Sequence, residues 1–291
     1  MKRYKILPYI SLAGFIFSSN MVFSRFSLGQ FNAIAYVSLR LLIGALGYMI
    51  LMLFRKGHSW PRSWKFWLNA GFYGILANVI PMTGFVSGLN YLSSGVSSML
   101  VTLNPILIVL LAQVFLDEEP LTRKKILGSI LAIIGAGAIL VQGESGLADV
   151  ARADWRGYAW VMLGVVSVAF SFIYARKFLS DGDVFEITAV RVLVAALVMI
   201  PIVFLTVGYD VSKVDYRGLI ALLYSGTVGT IFVFLLEFYN IKRFGATAAS
   251  QTAYFVPIMA TILGVLFLGE QVTPVILGGM ACVLIGLRLM N

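Results

Sequence analysis

Apolar residues fill this chain in ten long blocks, separated by short polar connections that gather most of the charge. A bilayer's hydrocarbon layer is about 30 Å thick, so a helix that crosses it needs about 20 mostly apolar residues. The blocks at 6–26, 31–54, 66–90, 93–116, 126–142, 155–174, 184–207, 219–240, 246–268 and 274–289 are read as such helices, with ends soft by a few residues. The pattern predicts an all-α integral membrane protein of ten transmembrane helices. Its connections leave no room for a separate soluble domain, and the longest, 143–154, lies mid-chain and divides it into halves at 1–145 and 155–291.

Composition points the same way. Apolar residues make up 60% of the chain and charged residues 12%, against roughly 45–50% and about 25% in an ordinary soluble domain. The opening MKRYK and the apolar stretch behind it resemble a secretory signal, but the stretch is long, lacks an Ala-x-Ala cleavage pattern and precedes nine more blocks. It is read as an uncleaved first span. Cys282 is the one cysteine, which excludes an internal disulfide, and His58 is the one histidine, which leaves no Cys/His metal site. Neither a metal nor a cofactor is expected.

The net charge of +9 raises the question of nucleic acid. Sorting the basic residues by connection answers it: fifteen fall on the side of the amino terminus and five on the other. Short cytoplasmic loops carry such an excess because Lys and Arg resist translocation. Both termini are therefore expected in the cytoplasm, with the lipid bilayer and a small-molecule substrate as partners and no nucleic acid.

Within the blocks the sequence repeats itself. "NPILIVLLAQVFLDEEPLT" returns as "VPIMATILGVLFLGEQVTP", so that Pro105 with Glu118 and Pro257 with Glu270 form the same module 152 residues apart. Arg40 and Arg191, Arg25 and Arg176, and Tyr73 and Tyr224 each pair at an offset of 151. Fixed-offset similarity marks duplication. Five spans per half is an odd number, so the second half is expected to enter the membrane inverted relative to the first, giving two inverted five-helix repeats. Such repeats build alternating-access carriers, in which halves of like shape exchange conformations and so exchange which side is open.

These halves resemble the EamA repeat of the drug/metabolite transporter superfamily. The resemblance rests on "IFSSNMVFSRF" in the first span, "AFSFIYARKF" in the sixth, an arginine inside the second and seventh spans, and the Pro-(x)12-Glu module ending the fourth and ninth. Many members carry tryptophan where this chain has Phe17 and Phe170. The resemblance implies a bacterial inner-membrane carrier, a monomer or weak homodimer, that moves amino acids, related amines or other small metabolites, most often outward, with multidrug or organic-cation efflux as the alternative. It also implies a substrate path between the halves.

Polar side chains set within the spans are the candidates for lining that path: Asn20, Asn78, Thr83, Asn104, Ser171, Tyr174, Gln251 and Tyr254. Rings would supply flat apolar walls and amides would fix a substrate's polar groups, although interhelical hydrogen bonding accounts equally well for any one of them. Pro105 and Pro257 sit mid-block at matching places and are read as paired hinges or as static kinks. Arg40 and Arg191 lie deep, where anion recognition and a grip on helix-end carbonyls are both open. Glu237 is read as an acid inside a block; Lys242 and Arg243 follow closely and are its expected partners. No carboxylate is expected at mid-depth, so no proton relay is evident. A membrane enzyme would need a titratable or metal-binding cluster, which a lone His58 and the solvated acids Asp117, Glu118 and Glu119 do not make. A channel fits an inverted repeat less well than a carrier does.

Overall fold

A computed structural model describes residues 3–54, 60–115, 122–150, 152–245, 249, 252–253 and 255–290. The regular structure among them is helical. In chain order the first half holds α1 (Arg3–Ser27), α2 (Ala33–Phe54), α3 (Trp64–Gly88), α4 (Ser94–Phe115) and α5 (Arg123–Gln142). The second holds α6 (Trp155–Phe178), α7 (Val184–Thr206), α8 (Tyr216–Phe244), α9 (Phe255–Leu268) and α10 (Pro274–Met290). Seven of these, α1 to α4 and α6 to α8, are long and apolar enough to cross a membrane, while α5, α9 and α10 are shorter apolar helices. The chain is a multi-pass membrane protein. The ninth block is described as a helix only from Phe255, preceded by a 3-10 turn at 252–253.

Burial is inverted relative to a water-soluble protein. Leu53, Phe54, Val114 and Phe267 face outward, and Leu205 is 85% exposed, while Ser18, Ser38, Ser94, Ser97 and Thr188 are buried. Lipid, not water, is the solvent for the outer face, so apolar side chains belong there and polar groups find partners inside.

Three long helices depart from α geometry. In α4 the regular helix breaks at Thr102–Leu103, where the Thr102 hydroxyl and N–H both turn back to the Met99 carbonyl. The helix restarts at Asn104. Pro105 thus stands in a first turn, where its missing N–H costs nothing. Pro257 stands likewise in the first turn of α9. Pro105 therefore follows a break in its helix instead of kinking a continuous one.

The other two departures are π turns, at Ile75–Val79 in α3 and Thr227–Phe232 in α8. They begin 152 residues apart, the offset of the repeat. Pro81 follows the first, and the wider register leaves room for a residue that cannot donate. The second has no proline; there Thr230 Oγ1 donates to the Ser225 carbonyl five residues back, at 2.8 Å.

The most extensive helix pairings join the halves. At the centre α2 packs on α7, burying Tyr36, Leu41, Tyr48, Val192, Met199 and Val203. α1 packs on α8 and α9, and α6, five helices later, packs on α3 and α4. α2 meets α8 as α7 meets α3, while α4 meets α9 and α5 meets α10.

The α5–α10 pair is held by close backbone approach. A Cβ on Gly286 would sit 2.4 Å from the Gly128 carbonyl oxygen, and one on Gly135 would sit 2.6 Å from that of Gly279. Small faces of this kind let helices associate in lipid.

The foot of α9 reaches back to α4. Glu270 accepts from the Ser94 N–H at 2.7 Å and Ser94 Oγ at 2.5 Å through Oε1, and from the Gly95 N–H at 3.2 Å through Oε2. The carboxylate caps a helix whose first N–H groups have no partner within the helix. Its repeat counterpart Glu118 lies outside the described residues.

Two stability predictions follow from these contacts. Glu270→Ala leaves buried donors at the start of α4 unpaired and is expected to cost about 1–3 kcal/mol, read as a lower thermal midpoint of the purified protein in detergent. Gly286→Leu, forced against the α5 backbone, is expected to cost a further measurable amount of about 1–3 kcal/mol by overpacking. The control is Gly137→Leu, whose Cβ meets nothing within 4 Å and which should leave the midpoint unchanged.

Candidate functional site

A cavity of about 140 Å³ lies inside the bundle, walled by α1, α3, α4, α6, α8 and α9 together with Arg40 of α2. The break in α4 borders it through Val101 and Asn104, and Thr252 and Ala253 of the 3-10 turn ahead of α9 border it together with Val256 of that helix. Most of the wall is apolar, with Phe17, Phe85, Phe172 and Phe234 as rings and Met21 and Met82 as flexible fillers. The polar groups on it are few, chiefly Asn20, Ser24, Arg40, Asn104, Glu237 and Asn240.

Arg40 is engaged by protein. Its Nε donates to Thr230 Oγ1 at 3.0 Å and its Nη2 to the Gly229 carbonyl at 2.7 Å, both in the π turn of α8. Asn20, with its amide oxygen turned toward Arg40 as the surrounding donors require, accepts from Nη1 at 2.9 Å and Nη2 at 2.6 Å and donates to Ser225 Oγ at 2.9 Å. Tyr36 adds a 2.7 Å bond to the same Ser225 hydroxyl. One helical stretch further along α2, Tyr48 donates to the Ile231 carbonyl at 2.6 Å. Arg40 therefore grips a backbone carbonyl of α8, with four of its five N–H donors bonded to protein groups.

Arg191 is also fully buried. It donates to Tyr73 Oη at 2.8 Å and to the Phe234 carbonyl at 3.1 Å, and its guanidinium lies over the Tyr73 and Phe234 rings at 4.9 and 4.8 Å. Its Nη2 also pairs with Glu237 Oε2 at 3.2 Å. This corrects the expectation for Glu237. Lys242 donates instead to the Gly182 carbonyl at 2.6 Å, and Arg243 turns to Tyr239. Glu237 is an internal carboxylate on the cavity wall, with its side chain 18% exposed.

Of the other residues singled out by sequence, Asn20 and Asn104 line the cavity. Asn78, Thr83, Ser171 and Tyr174 are not among its lining residues. Asn78 is buried on the π turn of α3 with neither amide atom partnered among the described residues. Thr83 contacts Met199 Sδ at 3.9 Å, Ser171 returns to the Val168 carbonyl at 2.8 Å, and Tyr174 donates to Asn69 Oδ1 at 3.1 Å between the Phe72 and Phe178 rings. Gln251 and Tyr254 lie outside the described residues. Sequence reading missed Asn240. It stands three residues after Glu237, one helical turn along the same face, and the only sequence signal for it is that spacing.

Comparison with known proteins sets this geometry in a family. The model of the EamA-like transporter family matches residues 5–141 and matches again at residues 155–291. The chain belongs to the EamA-like transporter family, within the drug/metabolite transporter superfamily. Among curated relatives of this EamA-like transporter, an uncharacterized transporter of Archaeoglobus fulgidus is 24% identical, over 99% of this chain and 98% of its own. A second, YoaV of Bacillus subtilis, is 23% identical over 95% and 93%. A protein of Streptantibioticus cattleyicolor named "Probable terminal-alkyne amino-acid exporter" is 28% identical over 69% of this chain and 65% of its own. A solved crystal structure superposes with a TM-score of 0.69 at 18% identity, covering 96% of this chain and 94% of that one, a likeness of fold.

In this EamA-like transporter the Arg40 fork makes bonds in several directions that an ammonium group cannot reproduce. Arg40→Lys is expected to cost about 1–3 kcal/mol, seen as a lower thermal midpoint in detergent. A midpoint equal to that of the parent protein would show that the Gly229 and Asn20 contacts contribute nothing.

Proposed function

We propose that this transporter is an alternating-access secondary carrier whose two halves, 1–145 and 155–291, are inverted relative to each other and enclose one substrate site between them. The observation that carries this reading is the cavity bordered by the break in α4 and by the 3-10 turn at 252–253 ahead of α9. Discontinuous helices at matching places in two repeats are where carriers bind substrate, because the broken backbone is tolerated only beside a polar cavity or a protein partner. The exchange of helix pairings supports the same reading: what α1 does to α8 and α9, α6 does to α3 and α4. With an odd number of spans per half and fifteen basic residues on one side, both termini face the cytoplasm of a bacterial inner membrane.

The substrate class that suits the wall is amino acids or related amines, moved outward. The relative named as an amino-acid exporter supports the amino-acid part of that reading. Organic-cation efflux is the second reading, favoured by the four rings and two methionines on the wall. A monomer or weak homodimer suffices for either, because the site is enclosed by one chain.

Counterflow tests the proposal. Purified protein is placed in liposomes loaded with one unlabelled amino acid or amine, with the labelled compound outside and no ion gradient. Transient accumulation of label is the expected result. Its absence across aromatic, aliphatic and sulfur amino acids and their amines would sink the carrier reading for these substrates.

A further inference from the structure

We propose that Arg40 anchors a carboxylate of the transported molecule, so that the cavity takes acids and amino acids in preference to their amides and to simple amines. This rests on the carrier reading above and narrows its substrate class.

The argument turns on a charge that the wall leaves unmatched. Two ionisable side chains line the cavity among the described residues, Arg40 and Glu237. Glu237 is matched, because its Oε2 lies 3.2 Å from Nη2 of the buried Arg191 and the two charges oppose each other. Arg40 is not. It is 4% exposed, and its partners, Thr230 Oγ1, the Gly229 carbonyl and the Asn20 amide oxygen, are all neutral. One N–H of Nη1 has no protein partner. Neutral acceptors hold a guanidinium in place without cancelling its charge, and an ionised side chain inside a membrane protein ordinarily pairs with an opposite one.

The repeat shows which partner Arg40 does without. Arg191 stands in α7 where Arg40 stands in α2, and its carboxylate comes from α8 of the same half. Val86 and Phe85 of α3 stand 151 and 152 residues before Glu237, the two offsets of the repeat. α2 packs on that part of α3, and both residues line the cavity. Where one arginine has an internal acid, the other thus has an apolar wall and free volume. A carboxylate that enters meets a cation already oriented by three protein groups, and a charge-assisted bond to a preorganised donor is among the stronger ones available. The rest of the wall is mostly apolar, so the acid is carried on an apolar body. A simple amine meets the reverse situation: Arg40 repels it, and the one acid on the wall already has its cation.

The test is equilibrium binding to the full chain in lipid nanodiscs, followed by counterflow. The probes are phenylalanine, leucine and methionine, each beside its own amide, and 3-phenylpropionate beside 3-phenylpropionamide. At least one acid is expected to bind, and each acid that binds should do so about tenfold more tightly than its amide. Arg40→Gln is expected to bring acid and amide to equal affinity, whereas a change that merely loosened the bundle would weaken both and keep their ratio. Should that variant fail to fold, Phe85→Glu takes its place: it leaves the side chains that hold Arg40 unaltered, places an acid on α3 where α8 has Glu237, and should abolish the preference for the acid. Amides binding as tightly as acids, no binding of any acid, or a preference unchanged in the variant would overturn the proposal. Acid-selective binding without counterflow would sustain the anion site and sink the carrier reading. Counterflow of acids and amides alike would do the reverse.

Discussion

A backbone carbonyl inside a bilayer has no water to turn to, and the two π turns of this protein disturb the regular pairing of such groups at matching places in its halves. Donors from the opposite half answer both. The π turn of α8 is met from α2, by Arg40 at Gly229 and Tyr48 at Ile231, and that of α3 is met from α6, by Ser167 at the Leu76 carbonyl at 2.7 Å. This requirement fixes much else. It places a guanidinium deep in the bundle, calls Asn20 and Ser225 into its network, and sets the face of α8 on which Glu237 and Asn240 reach the cavity.

The two arginines of the repeat have diverged in what they hold. Both bind carbonyls of α8, Gly229 for Arg40 and Phe234 for Arg191. Arg40 completes its set with the hydroxyl of Thr230, whereas Arg191 adds a carboxylate and two aromatic faces. Arg40 is bonded to neutral protein groups and also borders the cavity. Arg191 pairs with an acid on the cavity wall, so two residues at matching places in the repeat make different contacts.

The all-helical, multi-pass character and the twofold match to one family were legible because their signals are long or periodic: apolar blocks and a constant offset. The site was less so. Glu237 has Lys242 and Arg243 at i+5 and i+6, spacings that do not meet on a helix face, while its partner Arg191 stands 46 residues earlier on another helix. The π turn of α8 carries no proline to announce it and depends on a threonine hydroxyl and on donors from α2. Thr83, Ser171 and Tyr174 look like substrate ligands because they are polar within spans, yet their hydroxyl contacts are to neighbouring protein groups. Lipid forces every such group to find a partner, and most find it locally.

Glu270 carries a consequence for how the chain is made. The helix it caps begins at Ser94, where Ser93 Oγ already accepts from the Val96 N–H, and the partner of the Ser94 and Gly95 N–H groups is synthesised 176 positions later. The major surfaces of α1, α2 and α4 wait in the same way for α7, α8 and α9. Each part of the chain thus completes its largest buried surfaces only against the other, so the helices made last finish what those made first leave open.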